Sequence, residues 1–256
     1  MNRRHCLLLL LAAGLPIPTT AAEIAGGVVE RVLDGDTVML RGGDEVRLAG
    51  VLAPKPWQLP AKASPAAVEL PARATAALDA MVRGRSVTLA FDARPRDRND
   101  RLLAQVERDD GLWLEGELLR RGLARVSTSL DNRARAGEML ALEAASRARR
   151  QGLWAMPEFR VLDAAAAARF VGSFQIVEGT VHDLRRGREQ TYLHFGASRR
   201  SALTLSIALA ERRRFLAGNR DPATLVGRRL RVRGWIKSFG GPVIEASHPE
   251  QIEVLT

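Results

Sequence analysis

The chain has 256 residues, enough for one large domain or two small ones, and its 46% hydrophobic and 27% charged content is that of a soluble globular protein, not of a disordered polymer. Its net charge of +10 comes almost wholly from arginine, because Lys55, Lys62 and Lys237 are the only lysines. That balance favours a polyanionic partner, nucleic acid or an anionic membrane surface, although a genome rich in arginine codons gives the same total.

The first residues, "MNRRHCLLLLLAAGLPIPTTAAE", join a basic start at Arg3 and Arg4 to a short apolar run and then to small residues. This is the pattern of a secretory signal peptide over residues 1–22, cut after Ala22, and the expected location is periplasmic or secreted. The run is short for a membrane span. The only cysteine, Cys6, would leave with it, so the mature chain builds no disulfide scaffold.

From residue 27 onward "VVERVLD", "DTVMLR" and "EVRLAGV" alternate branched apolar and polar residues between "DG" and "GGD" turns and predict short strands. "PKPWQLPAKASPAAVELP" is rich in proline and reads as an irregular loop. "ARATAALDAMV" then predicts a helix closed by Gly84. "RSVTLAFD" and "RLLAQVER" predict two more strands around the charged "ARPRDRND". "LEGELLRRGLARV" and "RARAGEMLALEAASRARRQGLWA" predict two helices. Five short strands with helices between and after them point to a small barrel of the OB type. "MPEFRVLDAAAAARF" reads as a connector. Beyond it "SFQIVEGTVHDL", "QTYLHFG", "ALTLSI", "RRLRVRGWIKSF", "PVIEAS" and "EQIEVL" return to strand period, with one helical break at "ALAERRRFLAG". The expected organisation is a first domain over 24–156, a linker over 157–169 and a smaller OB-like domain over 170–256.

"DGDT" joins the first two strands, and Asp34-Gly35 is by itself an ordinary hairpin turn. Its company suggests more. Arg47 stands mid-strand between Val46 and Leu48, and Arg101 follows the exposed "DRND" loop at the head of another strand. An acidic turn beside two strand-borne arginines suits a phosphodiester: the acid holds a hard cation and the arginines clamp phosphoryl oxygens.

The pieces "VLDGDTVML", "EVRLAGVLAP", "DRNDRLLAQV", "GLWLEGELLRRGLARV" and "LEAASRARRQGLWA", in this order, give residues 27–155 a resemblance to the thermonuclease (staphylococcal nuclease-like) family. The resemblance implies an OB-fold barrel with helices that hydrolyses DNA and RNA with calcium. It places Asp36 as the first calcium carboxylate, and Arg47 and Arg101 as the two phosphate-binding, catalytic arginines.

The remaining positions depart from the family. Leu52 stands where the second calcium carboxylate is expected, and Lys55 where the glutamate acting on the attacking water is expected. Asn99-Asp100 replaces a tyrosine-glycine pair. Leucine offers no oxygen to a cation, and an ammonium about 5 Å from a divalent ion is repelled by about 6–7 kcal/mol at an effective dielectric near 20. Loss of a positioned base costs on the order of 10²–10⁴ in rate. Calcium is therefore the implied cofactor and the substitutions count against it. Two rescues are open: Lys55 as a phosphate contact beside Arg47 and Arg101, or Asp34, Asp44, Glu45 or Asp100 as a displaced ligand.

In the second half His182, His194 and His248 show no metal-ligand spacing and read as surface or strand residues. "RRGRE" and "ERRRF", near Tyr192, Phe195, Trp235 and Phe239, would suit a barrel face that stacks bases. Trp113 and Trp154 read as core aromatics. The expected function is an exported thermonuclease-like protein that binds DNA or RNA, or phosphate esters, with calcium-dependent hydrolysis weak or lost. The alternatives are an active phosphodiesterase with a rearranged site and an envelope scaffold that binds protein.

Overall fold

The computed structural model describes residues 25–198 and 200–255, so the leader expected over 1–22 lies outside the described residues. The chain runs β1 (Ala25–Asp34), β2 (Thr37–Leu40), β3 (Glu45–Leu48), β4 (Val51–Leu52), α1 (Pro65–Val82), β5 (Ser86–Arg96), β6 (Leu102–Arg108), α2 (Leu114–Arg120), β7 (Arg125–Val126) and α3 (Ala136–Ala148). It continues β8 (Leu162–Asp163), β9 (Phe174–Thr180), β10 (Asp183–Arg186), β11 (Gln190–His194), β12 (Thr204–Ala208), α4 (Arg212–Ala217), β13 (Arg229–Ser238), β14 (Pro242–Ala246) and β15 (Ile252–Leu255).

Five strands close into a barrel in the order β1-β2-β3-β6-β5, with β3 and β6 parallel and Arg47 opposite Leu103. The period of two decides which side chains fill it. Val38, Val46, Leu48, Leu89 and Val106 point inward and are essentially inaccessible, so Arg47, between Val46 and Leu48, is forced onto the outer face. The three helices pack onto the barrel through Leu70, Ala74, Leu78, Leu118 and Met139. β4 lies outside the barrel and pairs instead with β7, Val51 opposite Val126 and Leu52 opposite Arg125.

The first helix begins earlier than its sequence pattern suggests. Ser64 caps it by accepting from Ala67 N at 3.3 Å, Pro65 occupies the first turn, and Pro71 lies inside it. Pro71 had masked the Ser-Pro start signal. A helix that already buries Ala67, Leu70, Ala74 and Leu78 tolerates the lost backbone donor because packing, not propensity, holds it.

The second half forms a curled eight-stranded sheet, β10-β11-β12-β14-β13-β9-β8, with β15 also on β13. β13 carries the curl, pairing along one edge with β9 and along the other first with β15 and then with β14. Its core is a second cluster built on Leu193, Leu205, Phe215, Leu230, Val232 and Ile244. The connector contributes β8, parallel to β9, instead of passing as plain coil. Mixed β structure with helices, a closed OB-type barrel and a second OB-like sheet is thus the fold. No helix among the described residues is long and apolar enough to cross a membrane.

The two sheets meet across a polar junction. Arg233, 2% exposed, donates to Glu143 Oε2 at 2.8 Å, and Glu143 Oε1 accepts from Val126 N at 2.7 Å. Arg125 donates to Phe174 O at 2.9 Å, with its guanidinium 5.3 and 5.1 Å from the Phe159 and Phe174 ring centroids. Burial pulls the Arg125 guanidinium down to about 10. Thr128 Oγ1 and His248 Nε2 lie 2.8 Å apart, and Trp57 stacks on Trp235 with centroids 6.1 Å apart. Two expectations are corrected here. His248 is completely buried at this junction and not a surface residue, and Phe195, 5% exposed, belongs to the second core and cannot face a ligand.

Candidate functional site

The site begins in the β1–β2 turn. Asp34 Oδ1 accepts from Asp36 N at 3.0 Å, which bends the chain so that both carboxylates lie on one side. Gly35 sits between them for reasons of space. A Cβ there would stand 2.8 Å from the Cβ atoms of both Ala53 and Ala74, so the turn is pressed against α1 and the chain after β4. Its backbone is outside the left-handed range, so close approach and not hairpin geometry selects the glycine.

Asp36 is fully buried, and each of its oxygens is occupied. Oδ2 accepts from Ala53 N at 2.6 Å. Oδ1 lies 2.6 Å from Lys55 Nζ and 3.2 Å from Arg47 Nη1. Lys55 Nζ is also 2.6 Å from Asp34 Oδ1. The lysine therefore folds back from its loop and sits between the two aspartates. Asp34, Asp36, Arg47 and Lys55 sum to zero charge with no external ion. Burial raises the Asp34 carboxyl, but its hydrogen bonds to Lys55 and Asp36 outweigh that and hold it at about 2. Burial pushes the Asp36 carboxyl up, against the pull of Arg47 and Lys55.

Arg47 is anchored by carbonyls as well. Its guanidinium donates to Asp36 O at 3.2 Å, Leu48 O at 2.9 Å and Val51 O at 2.8 Å, leaving the side chain 15% exposed. It staples the start of β2 to the β3–β4 bend. Arg101 is engaged elsewhere: Asp97 Oδ2 accepts from its Nε at 2.9 Å and Nη2 at 2.6 Å, while Asp97 Oδ1 accepts from the backbone of Asn99 and Arg101. Burial raises the Asp97 carboxyl, but its hydrogen bonds, led by that of the Arg101 side chain, together with the Arg101 charge outweigh it and lower the group. No hydrogen bond or ion pair joins Arg101 to Asp36, Arg47 or Lys55 among the described residues. Of the sequence-predicted residues, Asp36 is thus bonded directly to Arg47 and Lys55, and Arg101 is bonded instead to Asp97.

What the sequence did not single out is the cavity beside Arg47. It measures about 470 Å³, and its walls include Arg94, Asp97, Arg98, Ser129 and Asn132. Asn132 is 3% exposed, and its side-chain oxygen has no partner within the protein. Arg47, Arg94 and Arg98 outnumber the carboxylates Asp97 and Asp131 in this lining, and Asp97 is itself paired with Arg101, so the concave surface is cationic and of a size that holds a small phosphate ester. The Asn132 oxygen, an acceptor, would suit a hydroxyl and not a phosphoryl oxygen. The signal was present in "ARPRDRND", where only the loop character was read.

The residues present do not fit calcium, which takes about 6–8 oxygens at about 2.3–2.6 Å. Leu52 supplies none, and both oxygens of Asp36 are used by protein donors. The displaced ligands fare no better. Asp44 and Glu45 lie at the far end of the β2–β3 hairpin, where Glu45 pairs with Met39. Asp100 points outward, its side chain 88% exposed and paired with Arg96. Among the described residues no three acidic, histidine or cysteine side chains converge on a point.

Residues 45–156 match the family described as Staphylococcal nuclease homologue. The chain is 31% identical over 140 residues to proteins named uncharacterized endonuclease from Escherichia coli O157:H7 and from Escherichia coli, an alignment that covers 54% of this chain and 81% of each of those. It is also 28% identical over 147 residues to endonuclease YhcR of Bacillus subtilis (strain 168), again 54% of this chain but only 12% of that protein.

Proposed function

Because the chain belongs to the family of staphylococcal nuclease homologues, we propose that it binds nucleic acid or phosphate esters at the arginine-lined cavity and that an internal ammonium has taken the place of catalytic calcium. The observation that carries this reading is the position of Lys55 Nζ, 2.6 Å from one oxygen of Asp34 and 2.6 Å from one oxygen of Asp36. An ammonium bridging the two carboxylates fills the place that a cation shared by both acids would need. An ammonium in two ion pairs donates protons to its partners and offers no lone pair to a water. The site then lacks both the metal that would polarise a phosphoryl oxygen and a base that would activate the nucleophile.

What the chain retains is the capacity to hold an anion. Arg94 and Arg98 make the cavity wall cationic, and Arg47 fixes the bend that shapes it. Binding of this kind weakens with salt as phosphate counterions compete.

The test is cleavage of single-stranded DNA and RNA in calcium and in chelator, with the wild type beside a Leu52→Asp/Lys55→Glu double variant. A silent wild type that still binds, and a double variant that gains calcium-dependent cleavage, are the expected results. Robust wild-type hydrolysis would sink the proposal in favour of an active, rearranged phosphodiesterase. Absence of any polyanion binding would favour a protein-binding scaffold.

A further inference from the structure

The second sheet carries a separate surface that the nuclease-type site does not use. Leu193, Leu205, Ile207 and Ile244 turn inward, so alternate residues of β10, β11, β12 and β14 form the opposite face, on which His194, Thr204, Ser206 and Val243 are buried as a floor and Tyr192 and Arg185 stand above it. Across it run two rows of directly paired neighbours. One is Arg185–Tyr192–Ser206–Glu245, and the other is Asp183–His194–Thr204–Val243–Lys237, so each row ends in one acid and one cation. Tyr192 and His194 lie on the same face of β11 and stack in parallel, with centroids 6.4 Å apart and planes 8° apart. The His194 ring is held by Thr204, Nδ1 to Oγ1 at 3.0 Å. The stack is therefore fixed from below by the sheet and from the side by a hydrogen bond.

Above it stands Phe239, in the turn between β13 and β14. Gly240 takes φ +66°, and Phe239 N donates to Gly241 O at 2.9 Å, so the turn is defined and not frayed. Phe239 is nevertheless 76% exposed and packs into neither core. It shares the walls of two clefts with Tyr192. One, of about 250 Å³, has Arg185, His194 and Thr204 on its sides, and the other, of about 170 Å³, has Gln190, Ser206 and Lys237. Each cleft thus has aromatic walls and polar groups in its side; the first carries the cation Arg185, and the second carries Lys237 with its partner Glu245. Arg185, Arg186 and Arg188, all exposed on the β10–β11 hairpin, make no ion pair among the described residues, whereas Lys237 is paired with Glu245.

We propose that this face binds single-stranded nucleic acid, with successive bases entering the clefts on either side of Phe239, Tyr192 stacking on them, and the β10–β11 arginines following the phosphates. Unpaired bases suit the arrangement because every base has a face to stack, and a duplex hides those faces. The cationic hairpin selects a polyanion over a neutral peptide. The inference is independent of the cavity beside Arg47.

Fluorescence anisotropy with labelled oligo(dT) and oligo(U) of about 12 nucleotides, within the ~4–16 that one OB-type barrel covers, tests it on the purified protein. Phe239→Ala is expected to weaken binding about tenfold, equivalent to about 1.4 kcal/mol, and Phe239→Trp to retain it. Phe239 lies on an exposed turn, so neither change threatens folding. Arg185→Gln is expected to flatten the dependence of log affinity on log salt by about 0.7, one phosphate contact on a single strand. An abasic oligonucleotide of the same length is expected to bind about tenfold more weakly than its base-bearing counterpart. Equal binding of the abasic strand, or unchanged affinity in Phe239→Ala, overturns the proposal. A loss of affinity seen only in Arg94→Ala/Arg98→Ala also overturns it, because binding would then belong to the first domain alone. Absence of binding by the wild type overturns it outright.

Discussion

Lys55→Ala removes the one cation that two aspartates share, and its consequences follow from the geometry. Asp36 is fully buried and the Lys55 side chain is 13% exposed, so little solvent screens the pair. Stripping one partner from a buried ion pair costs about 3–5 kcal/mol. Arg47 at 3.2 Å and Ala53 N at 2.6 Å stay with Asp36, which places the loss at the lower end, about 3 kcal/mol. At about 2–4 °C per kcal/mol for a chain of this size, Tm falls by about 6–12 °C. Calcium is then expected to restore much of that loss in the variant only. The Oδ1 atoms of Asp34 and Asp36 would face a gap that both reached at 2.6 Å, and a ligand at 100 times its Kd stabilises by about 2.7 kcal/mol. Thermal unfolding of wild type and variant in chelator and in graded calcium measures both effects. Two results would refute the reasoning: a variant that melts with the wild type, or a wild type that calcium stabilises as much as it does the variant.

Three further outcomes are expected. Burial first, with Arg133 and Arg233 adding to it against Glu250, lowers His248 from its ordinary 6.5 to about 4. The unfolded chain therefore takes up the proton first, and stability present above pH ~6.5 is lost as pH falls toward ~4, by about 3 kcal/mol in all. His248→Gln removes that step, and the difference between the two urea-unfolding profiles across this range isolates it from the carboxylates. Arg233→Met leaves buried Glu143 with Arg147, 3.3 Å away, as its one ion-pair partner among the described residues, so the loss falls at the lower end, about 3 kcal/mol, and Arg233→Met with Glu143→Gln recovers part of it, as read from urea midpoints. The leader expected over 1–22 predicts a periplasmic or secreted protein whose N-terminal sequencing begins at Glu23, and a mature chain that begins at Met1 would refute it.

Much of the fold was legible because it rests on short-range pattern. Strand alternation in "DTVMLR" and "EVRLAGV" set which residues line the barrel, and the same alternation put Arg47 outside. The replacements at Leu52 and Lys55 were equally visible, since a missing carboxylate is a matter of identity and not of geometry. The destination of Lys55 was not visible. Its Nζ could reach solvent, phosphate or an acid, and only the press of Gly35 against Ala53 and Ala74 brings the aspartates within its reach. Arg47 and Arg101 show the same limit, because backbone carbonyls and a local aspartate compete with a ligand for guanidinium donors. The burial of His248 depends on partners far along the chain and leaves no periodic trace, whereas that of Phe195 follows the alternation that also turns Leu193 inward.

The two halves of the molecule bear on one another through the segment that carries Lys55. On one side of it Leu52 pairs with Arg125, whose guanidinium is held by Phe174 O and set between the Phe159 and Phe174 rings. On the other side Trp57, two residues past the lysine, stacks on Trp235, which in turn meets the edge of Phe174. Phe174 and Trp235 are paired neighbours on β9 and β13, so one patch of the second sheet grips both flanks of the loop. A loop fixed at both ends loses most of its freedom before its central side chain chooses a partner, so the Lys55–Asp36 pair forms at a smaller entropic cost than the same pair on an open loop. The second sheet thereby helps to keep the ammonium between the aspartates, and the closed site of the first barrel is partly a property of the whole chain.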